Sequence, residues 1–139
     1  MFDFTRGQGQ PPPALATLGF ELIAVDPQAG TIEVSFTATD QLLNAMGTVQ
    51  GGFLAAMLDG TLGPALMATL GPGEVAPTTD LHLQFLRPAR PGQLTGRGRI
   101  VRRGRDIAFL AGELTDEDGA VVAVATATAQ IRRLREAPG

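Results

Sequence analysis

Two neighbouring segments near the N-terminus are patterned as β-strands. Residues 31–37 alternate apolar and polar side chains, and residues 20–25 form a second apolar-rich run. A period of two predicts strands, because successive side chains of a strand point to opposite faces of the sheet. The connection 26–30 contains the Asp, Pro and Gly residues that favour turns. The pattern therefore predicts two paired strands with one buried face.

The longest apolar run of the chain, residues 41–73, carries one charged residue, Asp59. Between residues 51 and 70, leucine, methionine and alanine recur at three- and four-residue spacing, which predicts a helix. The remaining faces of this helix are also apolar. We therefore expect other elements to surround it on all sides.

The period of two returns at residue 77 and predicts four more strands. The last three span residues 94–101, 106–114 and 120–131. The chain order is then two strands, one long helix and four strands in a meander. The packing that suits this order is an α+β fold, in which an antiparallel sheet of about five to six strands wraps around the helix. A sheet of this kind leaves exposed edges, so we expect self-association.

The length of 139 residues predicts a single domain over residues 1–139. A proline run at residues 11–13 starts a short helix that ends at Gly19. Residues 1–10 and 135–139 are expected to be flexible tails.

Composition excludes several classes of function. The net charge of −3 gives no basic field for nucleic acid, and the absence of cysteine removes disulfides and thiol chemistry. The single histidine, His82, disfavours a histidine-based zinc site. A membrane span over residues 53–70 is disfavoured by Asp59, and residues 1–13 lack the basic and then apolar pattern that is typical of a signal peptide. We expect a cytoplasmic protein that needs neither metal nor cofactor and binds neither nucleic acid nor membrane.

The long helix brings two chemical features together. Asp59 is a carboxylate in apolar surroundings, and Gly51 and Gly52 at the helix start can present backbone N–H groups to a negatively charged ligand. This combination favours a small acyl-transfer enzyme. The alternatives are that the two glycines only allow a tight turn, and that Asp59 holds structural groups. Gly51 and Asp59 are about 12 Å apart along the axis, so one helix cannot easily bring both to one carbonyl.

Two polar residues before the helix are further candidates. Asn44 and Gln50 could each donate a hydrogen bond to a substrate. Asn44 could equally be a turn residue, because asparagine suits such positions.

The segment NAMGTVQGG followed by LDG resembles the hotdog-fold acyl-CoA thioesterases of the phenylacetate-pathway (PaaI-like) type. The strands DLHLQFLRPARPG, VRRGRDIAFLAGEL and GAVVAVATATAQI are similar to that family too, so the resemblance covers residues 15–134. The family pattern is N-x-x-G-x-x-H-G-G followed by an acidic residue on the helix. The matching positions here are Asn44, Gly47, Gly51, Gly52 and Asp59.

One position departs from the family pattern, because Gln50 replaces the family histidine. The glutamine amide can donate a hydrogen bond but cannot carry a charge or move a proton. A hotdog acyl-CoA-binding protein with weakened catalysis is therefore an alternative to an active thioesterase.

The resemblance implies a homo-oligomer, a dimer or a dimer of dimers (homotetramer), that hydrolyses acyl- or aryl-CoA at its dimer interface. The N–H of Gly51 would stabilise the oxyanion, and Asp59 from the partner would act as general base or as nucleophile. Thr78 takes the place of the family's hydroxyl residue that orients water, with Thr79 as the alternative.

The resemblance also suggests where the rest of the substrate would bind. Gly52 would contact it, and four arginines could bind the phosphates of coenzyme A, since arginine pairs bidentately with phosphate. They are Arg87, Arg90, Arg103 and Arg105. The alternative is a set of solvated surface charges.

Overall fold

The structure, a computed structural model, describes residues 2–134. Within them lie two α-helices, α1 (Pro13–Thr17) and α2 (Gly51–Met67). The strands are β1 (Glu21–Asp26), β2 (Thr31–Ala38), β3 (Glu74–Val75), β4 (Thr78–Phe85), β5 (Gly92–Arg103), β6 (Ile107–Thr115), β7 (Val121–Gln130) and β8 (Arg132–Arg133). The expected tail at 135–139 lies outside the described residues.

Six of the strands form one antiparallel sheet in the order β1-β2-β5-β6-β7-β4. The helix α2 follows β2 in the chain and packs on one face of this sheet, against β2, β5 and β6. The short strands β3 and β8 pair separately. The predicted α+β fold, with an antiparallel sheet around one long helix, is confirmed.

The predicted four-strand meander is wrong in one respect. Of these four strands, only β5, β6 and β7 are neighbours in chain order, whereas β4 pairs with β7, with Phe85 opposite Ala123. The connection 86–91 makes this possible, because six extended residues reach about 20 Å and the three strand spacings from β4 to β5 need about 14 Å. The alternation of side chains fixes the buried face of β4 but does not fix its neighbour.

Glycines in the sheet allow α2 to approach it closely. Gly96 and Gly98 alternate on β5 with outward-facing arginines, and Gly112 lies beside them on β6. A Cβ atom at Gly98 would lie 3.0 Å from Leu62 Cδ2, and one at Gly112 would lie 2.8 Å from the same atom. A Cβ at Gly96 would overlap the side chain of Thr61. The side chains of α2 therefore pack directly on the sheet backbone at these three glycines. Larger residues at these positions would increase the distance between the helix and the sheet.

Residues 2–10 differ from the flexible tail that we expected. Phe2 and Phe4 are buried, and their rings pack edge-to-face on Phe20 at centroid distances of 5.8 and 6.3 Å. Residues 3–8 form a turn that is closed by a hydrogen bond from Asp3 N to Gln8 O. Burial of two aromatic rings opposes the chain entropy that would otherwise keep this segment mobile.

The helix α2 is not surrounded on all sides, in contrast to the sequence prediction. Leu58 and Leu62 are buried against the sheet, whereas Phe53, Asp59 and Met67 are exposed along the opposite side. Within residues 2–134, no helix combines the length and the apolar character that crossing a bilayer requires.

Candidate active site

Asp59 lies on the open side of α2, in the middle of the helix. Its carboxylate Oδ1 accepts a hydrogen bond of 3.3 Å from the hydroxyl of Thr78, the first residue of β4. The neighbouring Thr79 hydroxyl instead contacts Thr128 across the β4–β7 pair. Of the two threonines that the sequence proposed, Thr78 is the one beside the acid.

An apolar groove of about 600 Å³ surrounds this acid–hydroxyl pair. Its walls come from α2, from α1 with the N-terminal segment, and from the start of β4. Its main apolar lining residues are Phe4, Leu15, Phe53, Ala56, Met67 and Pro77. Volumes of this size are typical of small-molecule sites.

The N-terminus of α2 presents free amides. Within the described residues, the N–H groups of Gly51 and Gly52 donate to no acceptor, while the Gln50 carbonyl accepts from Phe53 and Leu54. The Gln50 side chain forms no cap hydrogen bond and is exposed. The positive end of the helix dipole reinforces these donors, which makes the position suited to a developing oxyanion.

Phe85 lies beside the N-terminal end of α2, and the sequence alone did not identify it as a site residue. A Cβ atom at Gly51 would lie 3.1 Å from the Phe85 ring, so glycine lets the end of β4 and the helix start meet. Phe85 is 57% exposed and Leu86 is 54% exposed. The C-terminal end of β4 therefore places an exposed aromatic ring, Phe85, beside the amides.

Asn44 holds the loop that leads to the helix. Its Oδ1 accepts from the backbone N–H of Met46 at 2.9 Å and of Thr48 at 3.2 Å, and its Nδ2 donates to the Thr48 hydroxyl at 2.9 Å. These contacts match the turn role that the sequence left open for Asn44. They position the helix start through the neighbouring Val49 and Gln50.

The four arginines proposed for phosphate binding lie at opposite ends of α2. Arg87 and Arg90 flank Ala89, whose carbonyl accepts from Val49 N at 2.8 Å, so this loop lies against the helix start. Arg103 is at the other end, where Nη1 donates to the carbonyl of Thr69 at 3.2 Å. Arg105 follows in the β5–β6 turn. The helix has 17 residues and is about 25 Å long, so one protomer does not bring the four together.

The free amides and the acid are likewise separated within one protomer. Gly51 and Asp59 are eight residues apart on a continuous helix, about 12 Å along its axis. A carbonyl group in contact with one therefore cannot contact the other in the same chain.

Comparison with known proteins places these features in a family. The profile of the thioesterase superfamily matches residues 46–123, more than half of the chain, and this stretch includes the helix start, Asp59 and Thr78. The chain belongs to the thioesterase superfamily. This hotdog-fold thioesterase hydrolyses a thioester bond, and its expected likeness to the PaaI-like group is confirmed.

Individual relatives agree with this assignment. A phenylacetic acid degradation-related protein from Ralstonia eutropha JMP134 is 45% identical and superposes with a TM-score of 0.87, covering 92% of this chain and 98% of its own. The PaaI protein of E. coli is 24% identical with a TM-score of 0.79 over 89% of this chain and 86% of its own, which shows a shared fold. Human acyl-coenzyme A thioesterase 13 is 24% identical over 98 residues, or 70% of this chain and 69% of its own.

Proposed function

We propose that this thioesterase hydrolyses acyl- or aryl-CoA to the free acid and CoA at two equivalent sites of a homodimer. The observation that carries the proposal is the Asp59–Thr78 pair in an apolar groove, with unpartnered amides about 12 Å away on the same helix. A two-fold axis that pairs the α2 helices brings Gly51 of one protomer to Asp59 of the partner subunit. The relative human acyl-coenzyme A thioesterase 13 supports a CoA ester as substrate.

The exposed apolar side chains support the dimer. Phe53, Phe85 and Leu86 are exposed along α2 and the free edge of β4. Contiguous exposed apolar residues mark interaction surfaces, and an unpaired strand edge is a template for pairing with another chain. A second copy of this chain would cover both.

A dimer of dimers would use the opposite face of the sheet. That face has a trough of about 680 Å³ that contains Glu33, Arg97, Arg99 and Glu113. Arg97 already pairs with Glu33 at 3.2 Å. Residues of both signs make this face complementary to itself, so two copies can pair acid with base across it.

In the reaction, the Gly51 N–H donates a hydrogen bond to the oxyanion that develops on the thioester carbonyl oxygen. One route has Asp59 take a proton from water while the water oxygen bonds to the carbonyl carbon. The C–S bond then breaks, and the CoA thiolate takes up the proton. The other route has an Asp59 oxygen attack the carbonyl carbon and expel CoA, after which water hydrolyses the mixed anhydride. In both routes the Thr78 hydroxyl orients the carboxylate or the water.

The test is Asp59→Asn, which keeps the shape of the side chain and removes its basicity. We expect kcat to fall about 10²-fold or more on a panel of short-chain, medium-chain and aryl-CoA esters. Asp80→Asn is the matched control, because Asp80 is exposed on β4 opposite Thr128 and outside the groove. Full turnover by Asp59→Asn removes this carboxylate from the mechanism.

A second candidate function rests on Gln50, which is exposed beside the amides and cannot move a proton. It is an acyl-CoA-binding protein whose catalysis has decayed. Thermal stabilisation by CoA esters without thiol release, in the wild type and in Gln50→His, favours this candidate. Thiol release by the wild type excludes it.

A further inference from the structure

The groove beside Asp59 has a wall that no part of the catalytic proposal uses. It is formed by Phe4 and by residues of the segment 12–18, among which Leu15 is half-buried. A Cβ atom built on Gly60 would lie 2.6 Å from Leu15 Cδ2, so the leucine side chain lies directly on the helix backbone. Gly60 follows Asp59 on the helix, and both residues line the same groove as Leu15.

Leu15 is held in place by the backbone around it. Its carbonyl accepts from Leu18 N at 3.0 Å and from Phe20 N at 3.1 Å, and Gly19 has a positive φ of 67° that closes the end of α1. The ring of Phe20 in turn packs against the rings of Phe2 and Phe4 in a buried aromatic cluster. The wall is therefore attached to the core and is not a loosely lying segment.

The chemistry of the groove limits what fits there. Among its described lining residues none is basic, and Asp59 is the only charged group. An acyl group with a terminal carboxylate would meet a like charge and find no cation, whereas an uncharged apolar group would exchange water for apolar side chains.

We propose that Leu15 determines substrate specificity by limiting the length of an uncharged, apolar acyl group that lies along α2 beside Asp59. The inference rests on the proposed thioester hydrolysis and names its substrate class. In a hydrophobic pocket, one extra or missing methylene of the substrate changes discrimination by about 10–200-fold. Shortening Leu15 therefore lengthens the groove and moves the optimum to longer chains.

The experiment compares kcat/KM across straight-chain CoA esters from butyryl to dodecanoyl, with succinyl-CoA added. Leu15→Ala should raise the ratio of long-chain to short-chain kcat/KM by roughly tenfold or more, and Leu15→Val should raise it less. Leu70→Ala is the matched control, since Leu70 is another half-buried leucine of the core and does not line the groove. We expect its chain-length profile to equal that of the wild type.

Unchanged profiles in Leu15→Val and Leu15→Ala overturn the inference, and so does a wild-type preference for succinyl-CoA over butyryl-CoA. If Leu15→Ala fails to fold, the milder Leu15→Val decides. Binding of non-hydrolysable thioether analogues of the same chain lengths separates this inference from the proposed function. A shifted binding profile without hydrolysis in any variant retains the role of Leu15 and rejects the reaction. No binding and no hydrolysis overturn both.

Discussion

The two ends of α2 differ in their hydrogen bonding. At the C-terminal end, Arg103 donates to the carbonyl and hydroxyl of Thr69 at 3.2 Å each and pairs with Glu74 at 3.6 Å. At the N-terminal end, the amides of Gly51 and Gly52 donate to nothing in the described part of the chain. Every helix leaves unpaired groups at both ends. Here the carbonyls of Pro64, Leu66 and Met67 accept from the backbone N–H groups of residues 68–70, whereas the amide end is left open.

This difference indicates that the C-terminal end of α2 contributes to stability and that the N-terminal end is available for function. A cation at the C-terminal end complements the helix dipole and fixes the β5–β6 side of the fold. Free amides at the N-terminal end stabilise nothing in the folded chain, and they gain an acceptor only when a ligand brings one. Substitutions at the N-terminal end should therefore change kcat, and substitutions at the C-terminal end should change Tm.

The largest expected effect is at the open end. Gly51→Pro removes one N–H while keeping the helix, because proline is tolerated at the first helical position and Gln50 already has the extended ψ of 133° that precedes proline. We expect kcat to fall by about 10²–10³-fold. Gly51→Ala is the control, since it adds a comparable contact with the Phe85 ring and retains the N–H. Equal kcat in the two variants would mean that this amide does not hold the oxyanion.

A smaller effect is expected from the arginines of the neighbouring loop. Arg87→Gln should raise KM for a CoA ester by about three- to tenfold at low salt, with less effect at high salt, because a charge-assisted contact to phosphate is lost. The same acyl group on pantetheine, which lacks the nucleotide phosphates, should show no change. Arg105→Gln at the other end is the comparison. A rise in KM confined to Arg105→Gln would move the phosphate site to that end.

The smallest effect is expected at the closed end, and it should appear in stability. Arg103→Gln loses the contacts to Thr69 and Glu74, which costs about 1 kcal/mol, or roughly 3–5 °C in Tm. We expect kcat and KM to stay at wild-type values. A raised KM for CoA esters with an unchanged Tm would return Arg103 to the substrate site, where the sequence had placed it.

The sequence predicts the elements of the fold because each has a strong period. The alternation in β2 and the spacing of apolar residues in α2 each determine one buried face. The position of β4 could not be predicted in this way, because a long connection allows more than one neighbour. The anchoring of Phe2 and Phe4 could have been suspected, since two aromatic residues at a spacing of two are unusual in a mobile tail.

The contact between Asp59 and Thr78 was predictable from the sequence, whereas the surroundings of this pair were not. The pairing of Thr78 with Asp59 follows from the family pattern, and the structure puts the two side chains in contact. The exposure of Asp59 and the wall formed by Leu15 depend on how α1 packs on α2, which no local pattern encodes. The separation of Arg87 from Arg103 is likewise a property of the folded chain.

The central claim is that each site takes its amide from one protomer and its acid from the other. Mixing Asp59→Asn with Gly51→Pro after joint refolding tests it most directly, since each variant alone is expected to be nearly inactive. Half of the random dimers would then be mixed, and each would contain one intact site, which predicts recovery of about one quarter of wild-type activity. Activity that stays at the level of the two separate variants would contradict a shared site.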